Sequence, residues 1–521
     1  MAMDADAPPK NSSWIDAEHM FGPSSIPLHY VVTALLALVL LYSFRGPKNK
    51  VHMVNPKRLF ELTTARAKKD YVVHGHRMLQ DWFGANPSQP VRFNADFDEL
   101  VVLPPSMADE IRNDPRLSFG HWSAKSFHSH IPGFDGFRET SNESGFVQAV
   151  IVKDLTKHLE KVIEPLAKEA ATVIPEALSD SPEWHAVPLR DTLFRVIARV
   201  SCRVFLGEEL CRNEDWLRIT RDYTVYALQA AEKLRLWPAA TRPFVHWFLP
   251  SCRKIRGQIA QARAIINPVL EERRQLKARL RAEGKPAEVQ QDAIEWFEQE
   301  ARGSKYDPVS AQLLLAAASI HTTADLVCEV MTHLAQNPEI MGPLRREMVE
   351  CLQQHGWTKA ALYNMKLLDS VIKESQRVKP IGSVAMRRVA LADVELSNGL
   401  RIPKGGTLAV SSHSMWDPAV YEKADEWDGY RFFNMRHENP SAGQLVTTSP
   451  EHLGFGHGNH ACPGRFYATI HMKVSLVYLL LRYDWELPRG VVPKRHVHGF
   501  SLRTDPLLKM EVRRRKEEME I

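Results

Sequence analysis

The chain has 521 residues, and its content of 44% hydrophobic, 25% charged and 9% aromatic residues is that of an ordinary globular protein. This composition excludes a disordered, collagen-like or disulfide-stapled chain. The net charge of +5 is too small to indicate nucleic-acid binding, and at ~150 residues per domain the length corresponds to about three domains or one large enzyme fold.

Residues 28–44 are an apolar segment without Asp, Glu, Lys or Arg, at the short end of the length that spans a membrane. Arg45 and Lys48 follow it, so the positive-inside rule places the C-terminal body in the cytosol. We predict a lumenal tail over 1–27, an anchor over 28–44 and a cytosolic domain over 45–521. A cleaved signal peptide is the alternative, although its usual basic start is missing here. Asn11 begins a glycosylation sequon in the predicted tail.

Helical periodicity dominates from about Val150 to Gln376. The stretch 253–284 predicts one long, charged amphipathic helix that is interrupted near Pro268. Extended segments are short and late, and Asn398-Gly399 between two alternating runs indicates a hairpin. The pattern predicts a mainly helical domain with a small β part.

A second long helix is predicted to begin at Asp307-Pro308 and to end at Asn337-Pro338. It is apolar on nearly all sides, which predicts burial. Its small residues, Ala316 to Ser319, would let a ligand approach the backbone. His321 and Thr322 follow; the plain alternatives are a satisfied buried histidine and a threonine bonded back to its own helix.

Further along, Glu374 and Arg377 are three residues apart and share one helix face, which by itself is a weak signal. Arg387 and Arg388 precede the predicted hairpin, and Lys153 lies on a much earlier helix. The simplest interpretation is that these three basic residues lie exposed on a solvated face of the protein.

The segment from Phe455 to Arg465 is the most informative in the chain, because it places three glycines and a proline around Cys462 and an apolar helix follows. The six cysteines are scattered without a CxxC pair, so a disulfide framework is not expected. A thiol at a helix N-terminus is expected to have a lowered pKa, and the glycines let a flat ligand approach the backbone. The alternatives are a buried free thiol and a zinc site formed by His457, His460 and Cys462.

The segment resembles the F-x-x-G-x-x-x-C-x-G haem-binding loop of the cytochromes P-450, with Phe455, Gly458, Cys462 and Gly464 in the fixed positions. The resemblance covers nearly the whole chain after the anchor. It implies the cytochrome P-450 fold, mainly α with a small β part, and haem b whose iron is ligated axially by Cys462. His460 stands where the family often has an arginine, and it would donate to a haem propionate.

The resemblance also assigns the other motifs. Thr322 matches the oxygen-activation threonine, while His321 replaces the acid before it; an imidazole passes protons near neutral pH, so both are the expected catalytic residues. The resemblance implies that the haem propionates are bound by Arg387, Arg388 and Lys153. It also implies a structural salt-bridge network of Glu374 and Arg377 with Arg431, which belongs to a W-x-x-x-R-F segment.

Within the family the chain resembles fungal microsomal members of the ent-kaurene oxidase-like and dihydromonacolin oxidase-like groups. They imply a monooxygenase of the endoplasmic reticulum membrane, spanning it once, that oxidises an apolar polycyclic terpenoid or polyketide in secondary metabolism. An NADPH–cytochrome reductase would supply the electrons, so NADPH and flavins act only through that partner. Phe127, Phe134 and Phe137 would line the distal pocket or pack in the core, and the Trp- and Phe-rich segment 234–250 would contact membrane lipid.

Two other functions remain open at this point. A haem-thiolate isomerase or dehydratase would need no external oxygen; the missing acid before Thr322 leaves it open, while Thr322 itself argues against it. A non-catalytic haem-binding or membrane scaffold protein is the third interpretation.

Overall fold

The computed structural model describes residues 30–34, 37, 51–61, 63–141, 145–286 and 290–519. The predicted tail, 1–27, lies outside the described residues, and so does most of the predicted anchor, 28–44. Residues 30–34 and 37 are helical and exposed. From Val51 onwards the chain forms one compact unit.

Helices make up most of this unit, as the sequence predicts. The α-helices are α1 (Ala65–Ala85), α2 (Ala108–Ile111), α3 (Phe119–Phe127), α4 (Phe146–Val150), α5 (Leu159–Leu178), α6 (Leu189–Phe205), α7 (Gly207–Leu210), α8 (Glu214–Arg235), α9 (Arg242–Val245), α10 (Pro250–Ala282), α11 (Ala293–Ala301), α12 (Pro308–Gln336), α13 (Met341–His355), α14 (Lys359–Asn364), α15 (Lys366–Val378), α16 (Arg431–Glu438) and α17 (Arg465–Arg482). A π-helical turn over Ile151–Leu155 continues α4.

Helix α12 forms the centre of the core, where it packs against α6, α15 and α17. Its start is fixed by the Asp307 carboxylate, which accepts hydrogen bonds from the backbone N–H groups of Val309 (3.1 Å) and Ser310 (3.4 Å). Among the residues that the structure describes, α12 alone is long and apolar enough to cross a membrane, and most of that segment is buried. Burial inside the protein accounts for its apolar surface.

The β part consists of short strands. They are β1 (His52–Met53), β2 (Val91–Asn94), β3 (Glu99–Leu103), β4 (Leu117–Ser118), β5 (His185–Pro188), β6 (Val384–Ala390), β7 (Val394–Glu395), β8 (Arg401–Ile402), β9 (Thr407–Ser411), β10 (Tyr483–Glu486), β11 (His496–His498), β12 (Ser501–Arg503) and β13 (Lys509–Arg514). The largest sheet has the order β1-β2-β3-β9-β6-β4, and a second sheet has the order β10-β13-β5. The predicted hairpin is formed by β7 and β8, and Gly399 in its turn has a φ of +76°.

The predicted interruption of the charged helix near Pro268 is wrong, because α10 is continuous from Pro250 to Ala282. A proline inside a helix frees the carbonyl four residues earlier, which here belongs to Ala264. Ala264 and Pro268 are both exposed, so water can take the place of the missing backbone donor. The free-energy cost of a proline inside this helix is thereby reduced.

Helix α15 carries a fully buried ion pair. Arg377 donates from Nε to Glu374 Oε2 and from Nη2 to Glu374 Oε1, both at 2.8 Å. Arg431, at the start of α16, donates from Nε to the same Oε1 at 3.1 Å. The salt-bridge network predicted from the sequence is therefore formed.

The same guanidinium groups also hold the chain between α15 and α16. Arg377 Nη1 donates to the carbonyls of Met415 at 2.6 Å and Ala424 at 2.8 Å, and Arg431 Nη1 donates to the carbonyl of Glu422 at 2.6 Å. Charges are costly to bury unless hydrogen bonds satisfy them completely. The network thus fixes the course of the segment that leads towards Cys462.

Replacement of Glu374 by Gln is expected to lower the free energy of unfolding by about 3–5 kcal/mol, because it leaves buried guanidinium charge uncompensated. Urea denaturation followed by circular dichroism measures the change. The matched control, Glu395→Gln, removes an exposed ion pair with Arg401 and is expected to leave the midpoint unchanged. Equal midpoints for Glu374→Gln and wild type would contradict the structural role.

Candidate active site

Cys462 lies immediately before helix α17, in a loop that its own backbone holds closed. The Cys462 N–H donates to the Phe455 carbonyl at 2.8 Å, and the Cys462 carbonyl accepts from Arg465 Nη1 at 3.0 Å. Phe455 packs against the main hydrophobic core. The thiol is therefore presented from a fixed position between core and helix, and its side chain is only half-buried.

Glycine is required at position 458 for two reasons. Its φ is +78°, a conformation that other residues avoid, and an added Cβ would lie 2.4 Å from Arg112 Cβ. Gly464, in contrast, has an ordinary φ of −87° and caps α17. A Cβ added to Gly464 would meet only Ile151 Cγ2, at 4.0 Å, so there is open space beside this glycine.

His457 anchors the loop to α2. Its Nε2 lies 3.0 Å from Asp109 Oδ1 and 3.1 Å from Arg112 Nη1, and its Nδ1 lies 3.3 Å from Thr448 Oγ1. Both ring nitrogens thus have protein partners. No group of three or more His, Cys, Asp or Glu side chains is arranged to bind a metal within the described ranges, so the geometry gives no support to a zinc site around Cys462.

The expectation that the helix N-terminus lowers the Cys462 pKa is wrong for the protein alone. Burial raises the pKa of the thiol, and the backbone N–H of Gly464 and the charge of Arg465 offset only part of this effect. Desolvation is the largest of these three contributions to the Cys462 pKa. Deprotonation would have to come from a cation bound to the sulfur, since a coordinating thiol loses its proton.

One face of helix α12 is open although its neighbours are buried. Ala318 is exposed and Thr322 is half-buried, whereas Ile320, Thr323 and Ala324 on the other faces are buried. The Thr322 hydroxyl donates to the Ala318 carbonyl at 2.9 Å, so it is bonded back to its own helix, which stays α-helical throughout. Small side chains on this face leave room beside the backbone.

His321 points away from the Thr322 face. Its ring lies against Phe194 of α6, with centroids 4.7 Å apart, and the carbonyls of Thr220 and Arg221 in α8 are close to it. Burial, followed by the charges of Arg190 and Arg503, lowers the His321 pKa to about 4. The imidazole is therefore neutral at physiological pH, and its Nε2 has no partner among the described residues.

The aromatic residues expected at the distal side pack on one another. Phe127 and Phe137 stack with centroids 4.1 Å apart, and Phe137 also stacks on Tyr223 at 6.2 Å. Phe134 is completely buried. The structure therefore places Phe134 in the core, while Phe127 remains partly exposed.

The basic residues expected at the haem differ sharply in their surroundings. Arg388 in β6 is 1% exposed, and neither its Nε nor its Nη2 has an acceptor in the part of the chain that the structure describes. Arg387 instead lies over the Trp122 ring, 5.2 Å from its centroid. Lys153, on the π-helical turn, donates to Glu300 Oε1 at 2.8 Å. Lys153 thus has a protein carboxylate as its partner, so we leave it out of the proposed propionate site.

Two further polar groups belong to His460, in the Cys462 loop, and to Trp122, on a helix beside β6. His460 is exposed, and its pKa is lowered first by partial desolvation and then by the charge of Arg388. The Trp122 indole N–H is buried without an acceptor among the described residues, on helix α3, which packs against β6. Trp122 was not identified from the sequence, because one tryptophan gives no periodic or spacing signal.

These observations fit a bound haem. Buried donors on Arg388 and Trp122 call for an anion such as a propionate, because an unsatisfied buried donor costs free energy. The glycine loop presents Cys462, and the open face of α12 is lined by small residues. Sequence analysis identified Cys462, Thr322 and the arginine pair, but it did not distinguish the two arginines.

The chain is similar to a known protein family and to several proteins of that family. The family model for cytochrome P450 matches residues 102–510. The chain is 47% identical to cytochrome P450 monooxygenase hepE of Aspergillus oryzae, over 92% of this chain and 89% of that protein. It is 45% identical to cytochrome P450 monooxygenase TRI1 of Fusarium sporotrichioides (91% and 87% covered) and 38% identical to dihydromonacolin L monooxygenase LovA of Aspergillus terreus (98% and 96% covered).

Among solved structures, the chain resembles a retinoic acid-bound cyanobacterial CYP120A1 with a TM-score of 0.65. The match covers 86% of this chain and 96% of that one, at 17% identity. At that identity the likeness establishes the fold.

Replacement of Arg388 by Met is expected to act in opposite directions on the two forms of the protein. It should raise the free energy of unfolding of the haem-free protein by about 1–3 kcal/mol, because it removes buried donors that have no acceptor. It should also lower the ratio of haem to protein after purification. Urea denaturation and pyridine haemochrome absorbance measure the two quantities.

The control is Arg401→Met, which changes an exposed arginine on β8 and should alter neither quantity. Full haem retention by Arg388→Met would contradict the assignment of Arg388 to a propionate.

Proposed function

The chain belongs to the cytochrome P450 family, and we propose that this monooxygenase oxidises an apolar polycyclic terpenoid or polyketide in a secondary-metabolic pathway. Its relatives are named as fungal monooxygenases, and one acts by its name on dihydromonacolin L. The observation that carries the proposal is the placement of Cys462 by a glycine loop at the start of α17. A small hydrophobic substrate and a redox partner are general requirements of the family.

In the proposed site Cys462 holds the haem iron, and Arg388, Trp122 and His460 receive the propionates. When bound, the haem supplies the activation of molecular oxygen. The chain itself positions the reacting groups. The Cys462 loop fixes the sulfur, and α12 excludes water with its apolar faces while leaving Ala318 and Thr322 accessible. Thr322 would offer its hydroxyl on this open face.

The reaction inserts one oxygen atom into a C–H bond. One substrate molecule, one O₂, two electrons and two protons give one hydroxylated product and one water. We propose that an NADPH–cytochrome reductase delivers the electrons, so NADPH and flavins act through that partner. Repeated oxidation at one carbon follows from the same chemistry when the product stays bound.

Membrane association is supported by an exposed aromatic patch, formed by residues 234–250. Trp237, Phe244, Trp247 and Phe248 are all exposed, with Phe248 at 77% and Phe244 at 71%. Exposed aromatic surface of this kind marks an interaction with lipid or protein. Together with the anchor predicted at 28–44, the patch supports a single-pass protein of the endoplasmic reticulum membrane whose catalytic domain faces the cytosol.

The reduced, CO-bound absorption spectrum tests the proposed ligand. Wild-type protein is expected to give the band of a thiolate-ligated haem, and Cys462→Ala should lose it because no other thiolate replaces the sulfur. The matched control is Cys351→Ala, which removes a buried cysteine of α13 and should keep the band. The same band in Cys462→Ala would exclude Cys462 as the ligand.

Product analysis tests the substrate class. With a reductase, NADPH and oxygen, the full chain is expected to hydroxylate dihydromonacolin L or ent-kaurene, the scaffolds that its relatives and its sequence indicate. Mass spectrometry should find a product heavier by one oxygen atom, labelled when ¹⁸O₂ is supplied. Product formed without NADPH and oxygen would overturn the monooxygenase assignment in favour of isomerisation or dehydration.

A further inference from the structure

A polar stripe runs along the apolar helix α12. Thr322, Asp325, Glu329 and His333 follow one another at spacings of three, four and four residues, so they lie on one helix face. The side chains of Glu329 and His333 are buried and that of Asp325 is 13% exposed, so the stripe runs through the interior of the protein. The stripe begins at the open Thr322 face and leads away from it.

Lys379 joins the middle of this stripe. The lysine follows the end of α15, and its side chain is 1% exposed. Its Nζ donates to Asp325 Oδ2 at 2.5 Å and to Thr504 Oγ1 at 3.0 Å, and it lies 3.5 Å from Glu329 Oε2. One ammonium group thus bridges two carboxylates on successive turns of α12.

The far end of the stripe opens into a cavity of about 110 Å³. Glu329, His333 and Thr504 line it, together with Lys494 and Arg495 from the segment before β11. Glu329 also lies 3.5 Å from His333 Nε2. A cavity of this size, lined by polar groups, has room for water.

The protonation states suit transfer along this path. Burial raises the Glu329 pKa, and the charges of Lys379 and Arg495 reduce the shift only in part, while Asp325 adds to it. Burial, together with Arg495, Lys379 and Arg377, lowers the His333 pKa to about 3. Glu329 is therefore the carboxyl group of the cavity wall whose protonated form is favoured by its surroundings.

His321 does not provide such a path. It replaces the acid that the family usually places before the threonine, its ring faces α6 and α8, and it stays neutral. The reaction nevertheless consumes two protons for each oxygen molecule at the Thr322 face. A different route must supply them.

We propose that Glu329, Lys379 and Asp325 form a proton relay from the cavity to Thr322. In each cycle Lys379 releases an N–H proton to the Asp325 carboxylate, and Asp325 passes it on through the Thr322 face to the oxygen being reduced. Lys379 then takes the proton of the Glu329 carboxyl group, which is replaced from cavity water. The net change is one proton moved inwards for each transfer, with electrons supplied by the redox partner.

The relay rests on the proposed role of Thr322, and styrene epoxidation by the full chain tests it. With NADPH and reductase, styrene, O₂, two electrons and two protons give styrene oxide and water; with hydrogen peroxide, styrene and the peroxide give the same products without imported protons. Asp325→Asn and Glu329→Gln should lower epoxide formed per NADPH at least about tenfold, the low end for loss of a positioned proton donor. The peroxide-driven yield should stay at the wild-type level.

Lys379→Met is a second variant, and Lys473→Met is the matched control. Lys473 is also a buried lysine, bonded to Asp369 at 2.8 Å, but it lies on α17 outside the stripe. Its loss should lower both reactions in the same proportion, as any structural defect does. An unchanged epoxide yield per NADPH in the relay variants, or an equal loss in both reactions, would overturn the proposal.

A measurement without turnover adds an independent criterion. In the resting protein, infrared difference spectra over a pH titration should show a protonated carboxyl band that is lost in Glu329→Gln. Absence of that band in wild type would contradict the relay. A wild-type protein that forms no epoxide with either oxidant would contradict the proposed function itself, which separates the two failures.

Discussion

The structure depends on one buried carboxylate. Glu374 is completely excluded from solvent and accepts from two arginines and from the backbone N–H of Asp428, at 3.1 Å. A buried charge of this kind is tolerated only when every lone pair is satisfied. Because Arg377 and Arg431 use their remaining donors on backbone carbonyls, satisfaction of one carboxylate fixes the chain from 415 to 431. From the same helix, Lys373 donates to the carbonyls of Ala442 and Gln444, which extends this control towards the Cys462 loop.

The buried cations of the protein therefore fall into two kinds. Arg377 and Lys373 have acceptors in the protein, whereas the Nε and Nη2 of Arg388 have none within the described chain. An unpaired buried guanidinium is a destabilising feature, and burial accordingly lowers the Arg388 pKa to about 10. Arg377 and Arg431 use their donors on protein groups, whereas Arg388 has unused donors in the described chain, which we propose bind an anion from outside it. The haem-free protein is thus less stable because of a residue that we propose binds the ligand.

Local patterns were predictable from the residues themselves, whereas the one long-range pairing that was predicted, between Arg431 and Glu374, came from the family resemblance. The Asp307 cap, the Asn398-Gly399 hairpin and the cysteine loop each depend on a few consecutive residues, and the sequence identified all three. The continuity of the helix through Pro268, the raised Cys462 pKa and the different surroundings of Arg387 and Arg388 depend on burial and on distant segments. The same is true of Lys153, whose partner Glu300 lies 147 residues away in the sequence. Spacing alone contains no information about such partners.

Helix α12 has features that its own sequence predicts and features that depend on distant residues. Its apolar composition predicts burial, and burial makes each polar group on it expensive unless a partner is present. Asp325, Glu329 and His333 would therefore be unfavourable in this position without Lys379, Thr504 and Ser375, whose hydroxyl lies 3.1 Å from His333 Nδ1. A purely structural helix of this kind is more stable with apolar residues at these positions, since well-packed hydrophobic side chains commonly replace buried ion pairs without loss. The relay that we propose gives these polar residues a role that stability does not, because the stripe leads from a cavity towards the open Thr322 face.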